Sequence, residues 1–178
     1  MLNKLEIMFN RFADILGYIT ATLMILMMIN VVYDVIMRYF FRTGNIAFQE
    51  MEWHLFSVVF LLGIAYALKE DGHVRVDVIY DNLSNRKKAV INIAGAVIFL
   101  IPFSLLIATQ SVPFVMEAYN TAEISGDPGG LTHRWIIKAF IPVSFVFLII
   151  TTAGFIIKNI NLYRGEKKYL SEDTEAGR

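Results

Sequence analysis

The sequence predicts an all-α integral membrane protein in which four helices cross the bilayer. Hydrophobic residues make up 56% of the 178-residue chain and charged residues only 18%. Soluble domains carry about 45–50% and about 25% of these classes. The hydrophobic residues also lie in four blocks separated by charged segments, and each block approaches the roughly 20 apolar residues that a membrane-spanning helix needs.

Residues 1–165 are predicted to form a single transmembrane domain with spans at residues 13–37, 50–68, 86–116 and 136–159. The second span is short unless it includes the segment Glu50–Glu52. The third block exceeds the thickness of a bilayer core, so its helix is expected to tilt, protrude or kink at Pro102 or Pro113. The charged segment 166–178 has no apolar anchor and is expected to be a disordered cytoplasmic tail.

Basic residues between the spans predict the orientation, because cytoplasmic connections carry an excess of Lys and Arg. One set flanks span one, lies between spans two and three, or follows span four: Lys4, Arg11, Lys69, Arg75, Arg86, Lys87, Lys88, Lys158, Arg164, Lys167 and Lys168. The opposite side has only Arg38, Arg42, Arg134 and Lys138. Both termini are therefore predicted to be cytoplasmic.

The segment 38–53, which we call the bridge, connects spans one and two and is rich in aromatic rings: Tyr39, Phe40, Phe41, Phe48 and Trp53. Rings with a polar edge settle at headgroup depth. After the turn signal Thr43-Gly44-Asn45, apolar residues fall on one side of a short amphipathic helix in the membrane interface. The alternative is that these residues extend span two into the headgroups. The predicted interfacial anchors are Arg38, Arg42, Glu50, Glu52 and Trp53.

No motif in the sequence indicates catalysis, a cofactor or a metal site. The absence of cysteine excludes disulfides, thiolate nucleophiles and cysteine-ligated metal centres. Asp14 and Asp34 lie at the two ends of span one rather than at its middle, where local pairing with Arg11 and Arg38 is expected. The formal net charge of zero gives no indication of nucleic-acid binding. We therefore expect neither enzyme activity nor a bound cofactor.

Small residues in the spans predict close helix packing. Gly17, Gly63 and Gly154 each lie near another small residue along their span, which lets helix backbones approach one another. The favoured interpretation is packing within the bundle, and the alternative is a groove that faces a partner.

Five short segments, in this order and with this spacing, resemble the DctQ-type small membrane subunit of tripartite ATP-independent periplasmic (TRAP) transporters. They are Arg38-Tyr39-Phe40, the pair Glu50 and Trp53, Gly63-Ile-Ala65-Tyr-Ala67, His73-Val-Arg-Val-Asp77 and Gly129-Gly-Leu-Thr-His-Arg-Trp135. The resemblance covers about Phe9 to Ile157. Thr132 departs from the pattern, because the family often has proline there, and this affects only the local turn.

The resemblance implies a bacterial inner-membrane, multi-pass subunit in contact with lipid and with two protein partners. One partner is a large multi-span membrane subunit that holds the substrate and sodium sites, and the other is a periplasmic substrate-binding protein. The small subunit would act as a scaffold for an elevator-type carrier. The implied substrates are organic acids such as dicarboxylates, keto acids or sialic acids, and the stretch Glu123–Trp135 is similar to the sialic acid branch.

The sequence therefore predicts a non-catalytic small subunit of a sodium-coupled TRAP importer. His73 and Asp77 are expected to organise the cytoplasmic loop, whereas Asp127, Arg134 and Trp135 are candidates for docking the binding protein. Two alternatives remain. One is a self-sufficient small channel or carrier, and the other is a membrane electron carrier or enzyme.

Overall fold

A computed structural model describes residues 2–72, 80 and 82–164. It contains four long helices, and none of the described residues lies in a β-strand: α1 is Leu2–Tyr39, α2 is Ile46–Lys69, α3 is Asn85–Asn120 and α4 is Trp135–Arg164. Each helix is long and apolar enough to cross a membrane. The prediction of an all-α protein with four such helices is confirmed. His73, Asp77 and the segment 166–178 lie outside the described residues.

Successive helices run in opposite directions, which gives the bundle two distinct ends. At the loop end, the start of α2 and the loop at residues 121–134 lie side by side, as the contact of Glu50 with Leu131 shows. At the termini end, α1 and α4 meet again through Glu6 and Asn161. Helix α4 packs against the other three helices, whereas α3 packs extensively only against α4 within the described residues.

Small residues place the helices close together in the bundle. Gly154 of α4 faces Phe9 of α1, and a Cβ atom added at this glycine would lie 2.6 Å from the Phe9 Cβ. Gly17 of α1 faces the ring of Tyr66 on α2 at a similarly short distance. Backbones can approach this closely only where no side chain intervenes. These glycines therefore serve packing within the bundle, as the favoured interpretation predicted.

Helix α3 is irregular where the sequence places Pro102. Its 36 residues span about 54 Å at 1.5 Å per residue. A π-helical turn occupies Ala96–Leu100, and the N–H of Ile101 donates to the carbonyl of Ala96, five residues earlier. Proline offers no N–H to the carbonyl of Ile98 and its ring crowds that carbonyl, so a wider turn just before it relieves the conflict.

The start of α2 differs from the predicted arrangement of the bridge. Asn45 caps the helix by accepting a hydrogen bond from the N–H of Ala47 at 2.9 Å. The helix then continues without a break to Lys69, so the described residues contain no separate interfacial helix. No glycine or proline occurs between Asn45 and Gly63 to end a helix. The structure agrees with the alternative, in which this segment extends span two.

Candidate functional site

A buried carboxylate organises the loop end of the bundle. Glu50, in the second turn of α2, is only 7% exposed. One of its carboxylate oxygens accepts a hydrogen bond from the hydroxyl of Ser125, and the other accepts one from the backbone N–H of Leu131 at 2.5 Å. Both donors belong to the loop at residues 121–134. Glu50 therefore attaches this loop to the start of α2.

The loop is closed by its own backbone. The N–H of Ser125 donates to the carbonyl of Leu131 at 3.0 Å, and the N–H of Arg134 donates to the carbonyl of Glu123 at 3.2 Å. At the tip, the N–H of Asp127 donates to the Ser125 hydroxyl oxygen at 3.1 Å. These bonds hold the two arms of the loop together and present Ser125 to Glu50.

Two adjacent glycines make this loop conformation possible. Gly129 has φ +84°, a left-handed conformation that glycine adopts without steric cost. A Cβ added at Gly130 would lie 2.7 Å from a Glu50 carboxylate oxygen and 2.5 Å from Ser125. The first glycine allows the turn, and the second leaves room for the carboxylate.

Two basic groups lie beside the carboxylates. The Arg134 guanidinium lies over the ring of Trp53, with its carbon 5.5 Å from the ring centroid, and its Nε is 3.8 Å from a Glu123 carboxylate oxygen. Lys138 pairs with the same Glu123, and its ammonium lies 3.9 Å from the centroid of the Phe114 ring. We call Glu50, Trp53, Ser125, Glu123, Arg134 and Lys138 the loop cluster. Its two carboxylates and two cations balance in charge.

The termini end is connected through side-chain amides. The Asn161 amide donates to Glu6 at 2.7 Å and to Asn3 at 3.2 Å, and thereby joins α4 to α1. The Asn92 amide donates to the Asn159 side-chain oxygen at 2.8 Å and joins α3 to α4. Glu6 and Asn161 are each 1% exposed. These direct helix-to-helix bonds fix the bundle without involving a loop.

Ion pairs at the termini end correct one expectation from the sequence. Asp14 pairs with Lys69 of α2 at 2.5 Å rather than with Arg11 of its own helix, because the last turn of α2 lies beside this part of α1. Lys158 of α4 lies 3.4 Å from Asp71 after α2. At the other end of α1, Asp34 pairs with Arg38 as expected. Within the described residues, no group of three or more His, Cys, Asp or Glu side chains could hold a metal ion.

Comparison with known proteins gives the family. A family model described as "Tripartite ATP-independent periplasmic transporters, DctQ component" matches residues 27–162, more than half of the chain. The chain belongs to the DctQ family. A TRAP transporter small permease protein of Haemophilus influenzae (strain ATCC 51907 / DSM 11121 / KW20 / Rd) is 31% identical over 170 residues, which cover 94% of this chain and 100% of that relative. The resemblance to small TRAP subunits is confirmed, and the chain is a small permease subunit of this class.

The five predicted anchor residues of this DctQ chain lie in different surroundings. Glu50 and Trp53 belong to the loop cluster. Arg38 pairs with Asp34 one turn earlier on α1. Arg42 is exposed in the turn, and the half-buried Glu52 has no hydrogen bond or ion pair within the described part of the chain. Their anchoring role stays a prediction.

The three predicted docking residues also have different surroundings. Asp127 is exposed at the tip of the loop. Arg134 is half-buried against Trp53, and the Trp135 ring packs edge-to-face on Tyr119 with centroids 5.4 Å apart. Of these three residues in the DctQ chain, only Asp127 is exposed, and docking itself remains a prediction.

Several residues in or next to the loop cluster were not predicted from the sequence. Ser125 and Leu131 contact Glu50 across 75 and 81 residues of sequence. The Leu131 donor is a backbone N–H, which no residue type reveals. Glu123 and Lys138 are ordinary charged residues, the first in the loop and the second in the first turn of α4. The adjacent glycines at 129 and 130 are the one local signal in this DctQ sequence that a side chain comes close to the loop backbone.

Proposed function

We propose that this chain is the non-catalytic scaffold subunit of a sodium-coupled TRAP importer of organic acids. In this proposal both termini are cytoplasmic, the loop end faces the periplasm, and the protein lies in a bacterial inner membrane. Membership of the DctQ family supports the proposal, and so does the excess of basic residues at the termini end.

The observation that carries the scaffold role is the attachment of the loop by Glu50. A long surface loop is usually among the more mobile parts of a protein. Here two hydrogen bonds to one buried carboxylate connect the loop to α2, and Arg134 adds a contact with Trp53. The loop end is therefore a preformed surface. Such a surface suits a subunit that stays fixed while a partner moves.

The same surface supports a role in docking the periplasmic binding protein. Asp127 projects at the exposed tip of the loop, next to the turn that Gly129 forms. Charged residues on a fixed loop favour recognition without an ordering cost on binding. We include Arg134 and Trp135 in this surface as residues that hold its shape. The proposed substrates are dicarboxylates or sialic acids, the organic acids that the family resemblance implies. The stretch Glu123–Trp135 favours the second, because it resembles the sialic acid branch.

Reconstitution in liposomes tests this function. The chain, the large membrane subunit and the binding protein are combined, and uptake of a labelled organic acid is measured with and without an inward sodium gradient. We expect uptake only when all three proteins and the gradient are present. Transport by this chain alone would establish the self-sufficient carrier instead. A haem or quinone spectrum from the purified chain would favour the electron carrier.

A further inference from the structure

A groove runs between α2 and α3, with α4 as its floor. The two helices stay apart because α3 packs extensively only against α4 within the described residues. The groove has a volume of about 360 Å³, and rings and aliphatic side chains make up most of its walls. Phe56 and Phe60 on the α2 wall are each more than half exposed. The bundle thus presents an apolar cleft to its surroundings.

The face of α3 that borders this groove carries an amide. Gln110 lies on the same helix face as Phe103, Phe114 and Glu117. It follows Phe103 by seven residues and precedes the other two by four and seven, and these spacings correspond to whole helical turns. This face borders the groove, since Phe114 lines it and Phe103 contacts Phe145 of α4. Gln110 is exposed, and its side chain has no hydrogen bond within the described part of the chain.

Gln110 lies at a membrane depth where an amide without a hydrogen bond is unfavourable. It lies one helical turn, about 6 Å, farther from the loop end than Phe114, whose ring is covered by the Lys138 ammonium. Lysine places its charge at the membrane interface, so Gln110 lies inside the apolar layer. An amide at this depth without a hydrogen bond is unfavourable, because lipid tails offer it no partner.

The exposed surface of α1 differs from the α3 face that borders the groove. Its exposed surface is apolar at the corresponding positions, with Ile25, Met28, Ile29 and Val32 all exposed. Its exposed Thr22 donates its hydroxyl to the carbonyl of Tyr18 at 2.9 Å and therefore needs no outside partner. The α1 surface suits lipid tails. The α3 face that borders the groove does not.

The charge at the loop end of the groove points to the kind of partner. Glu117 is exposed on the same face of α3 and pairs with no basic group within the residues that the structure describes. The nearby cations Arg134 and Lys138 already contact Glu123. An occupant of the groove would complement this face with a basic group level with Glu117 and a hydrogen-bonding side chain level with Gln110.

We infer that this groove receives a transmembrane helix of the large multi-span subunit. A helix supplies an apolar surface for Phe56 and Phe60, a polar side chain at the depth of Gln110 and a basic residue near its end. Lipid acyl chains offer no hydrogen-bonding group at the depth of Gln110. This inference rests on the proposed function, because it requires the large subunit to be the partner.

Photo-crosslinking in the assembled complex tests the inference. The photo-reactive residue p-benzoylphenylalanine replaces Phe60 or Phe114 in the groove, or Ile25 or Ile29 on α1 as matched controls of similar exposure. Membranes that contain this chain and the large subunit are irradiated, and adducts are identified by mass spectrometry. We expect the groove positions to give several-fold more adduct with the large subunit than the α1 positions.

The outcomes separate this inference from the proposed function. Adducts with the large subunit from α1 but not from the groove would overturn the inference and leave the scaffold role intact. Groove adducts only with lipid, or only with a second copy of this chain, would also overturn it. If the large subunit does not copurify with the unmodified chain, the proposed function itself fails.

A second variant checks the amide without a photo-reactive group. Gln110→Leu should reduce copurification of the large subunit several-fold, because the partner loses its hydrogen bond. Thr22→Val on α1 is the control and should leave copurification unchanged. The isolated chain should unfold at an unchanged or higher temperature with leucine at this position. Equal copurification of both variants would count against the inference.

Discussion

The two ends of the bundle are held together by different chemistry. At the loop end, one carboxylate on α2 binds a loop 75 to 81 residues away, and balanced charges surround it. At the termini end, Asn161, Asn92 and neighbouring side chains connect the helices directly. The first arrangement shapes a surface, whereas the second fixes the helices. Substitutions at the loop end should therefore affect uptake, and substitutions at the termini end should affect stability.

The largest effect is expected at Glu50. Glu50→Ala leaves the Ser125 hydroxyl and the Leu131 N–H without their acceptor, so the loop loses its attachment to α2. Because hydrogen bonds to charged groups are among the stronger ones, uptake by the reconstituted transporter should fall on the order of tenfold. Cleavage of the loop by added protease should accelerate. The substrate affinity of the binding protein should stay the same.

Glu52→Ala is the matched control, because it removes a carboxylate two residues away that has no hydrogen bond or ion pair within the described residues. Loop cleavage should stay at the wild-type rate in this variant. An equal loss of uptake in both variants would mean that charge in the bridge matters and that loop attachment does not.

An intermediate effect is expected where α1 and α4 are closest. Gly154→Ala adds a Cβ that would lie 2.6 Å from the Phe9 Cβ, so the two helices must separate. Overpacking of this kind typically costs about 1–3 kcal/mol, which thermal unfolding in detergent would detect. Gly95→Ala is the control, because nothing lies within 4 Å of its added Cβ. Because alanine has a higher helix propensity than glycine, Gly95→Ala should unfold at an unchanged or higher temperature. A Gly154→Ala variant that is no less stable than Gly95→Ala would contradict the packing role of Gly154.

The smallest effect is expected at the amides of the termini end. Asn161→Ala removes the bonds to Glu6 and Asn3, and interhelical hydrogen bonds of this type contribute about 0.6–2 kcal/mol. The unfolding temperature should fall slightly, and uptake at a temperature well below unfolding should match the wild-type rate. A strong loss of uptake in a folded variant would contradict the division between the two ends.

The parts that could be predicted from the sequence depend on local patterns. Four apolar blocks of sufficient length leave little alternative to four spanning helices, and the ordered motifs around Glu50, Gly63 and Gly129 indicated the family. Asn45 was recognisable as a turn signal. The direction of the helix after it was not, because an apolar face predicts an amphipathic segment equally well in the interface plane or at the end of a span.

The contacts of the candidate site depend on tertiary structure. Asp14 was assigned to Arg11, three residues away, but the packing of α1 against α2 brings Lys69 to it. The partners of Glu50 come from a loop far along the chain, and one of them is a backbone group. No residue pattern distinguishes Glu50 from Glu52, although only Glu50 is buried. Burial at this position follows from the loop that covers it.

The π-helical turn at Ala96–Leu100 has a consequence for the register of α3. One extra residue in a helix rotates everything beyond it by about 100° relative to a regular α-helix. The turn therefore determines which side chains in the second half of α3 point toward α2. Without the extra residue, Gln110 and Phe114 would turn away from the groove, and a different stripe of side chains would form its wall. The proline at position 102 thus influences a surface two to three helical turns away.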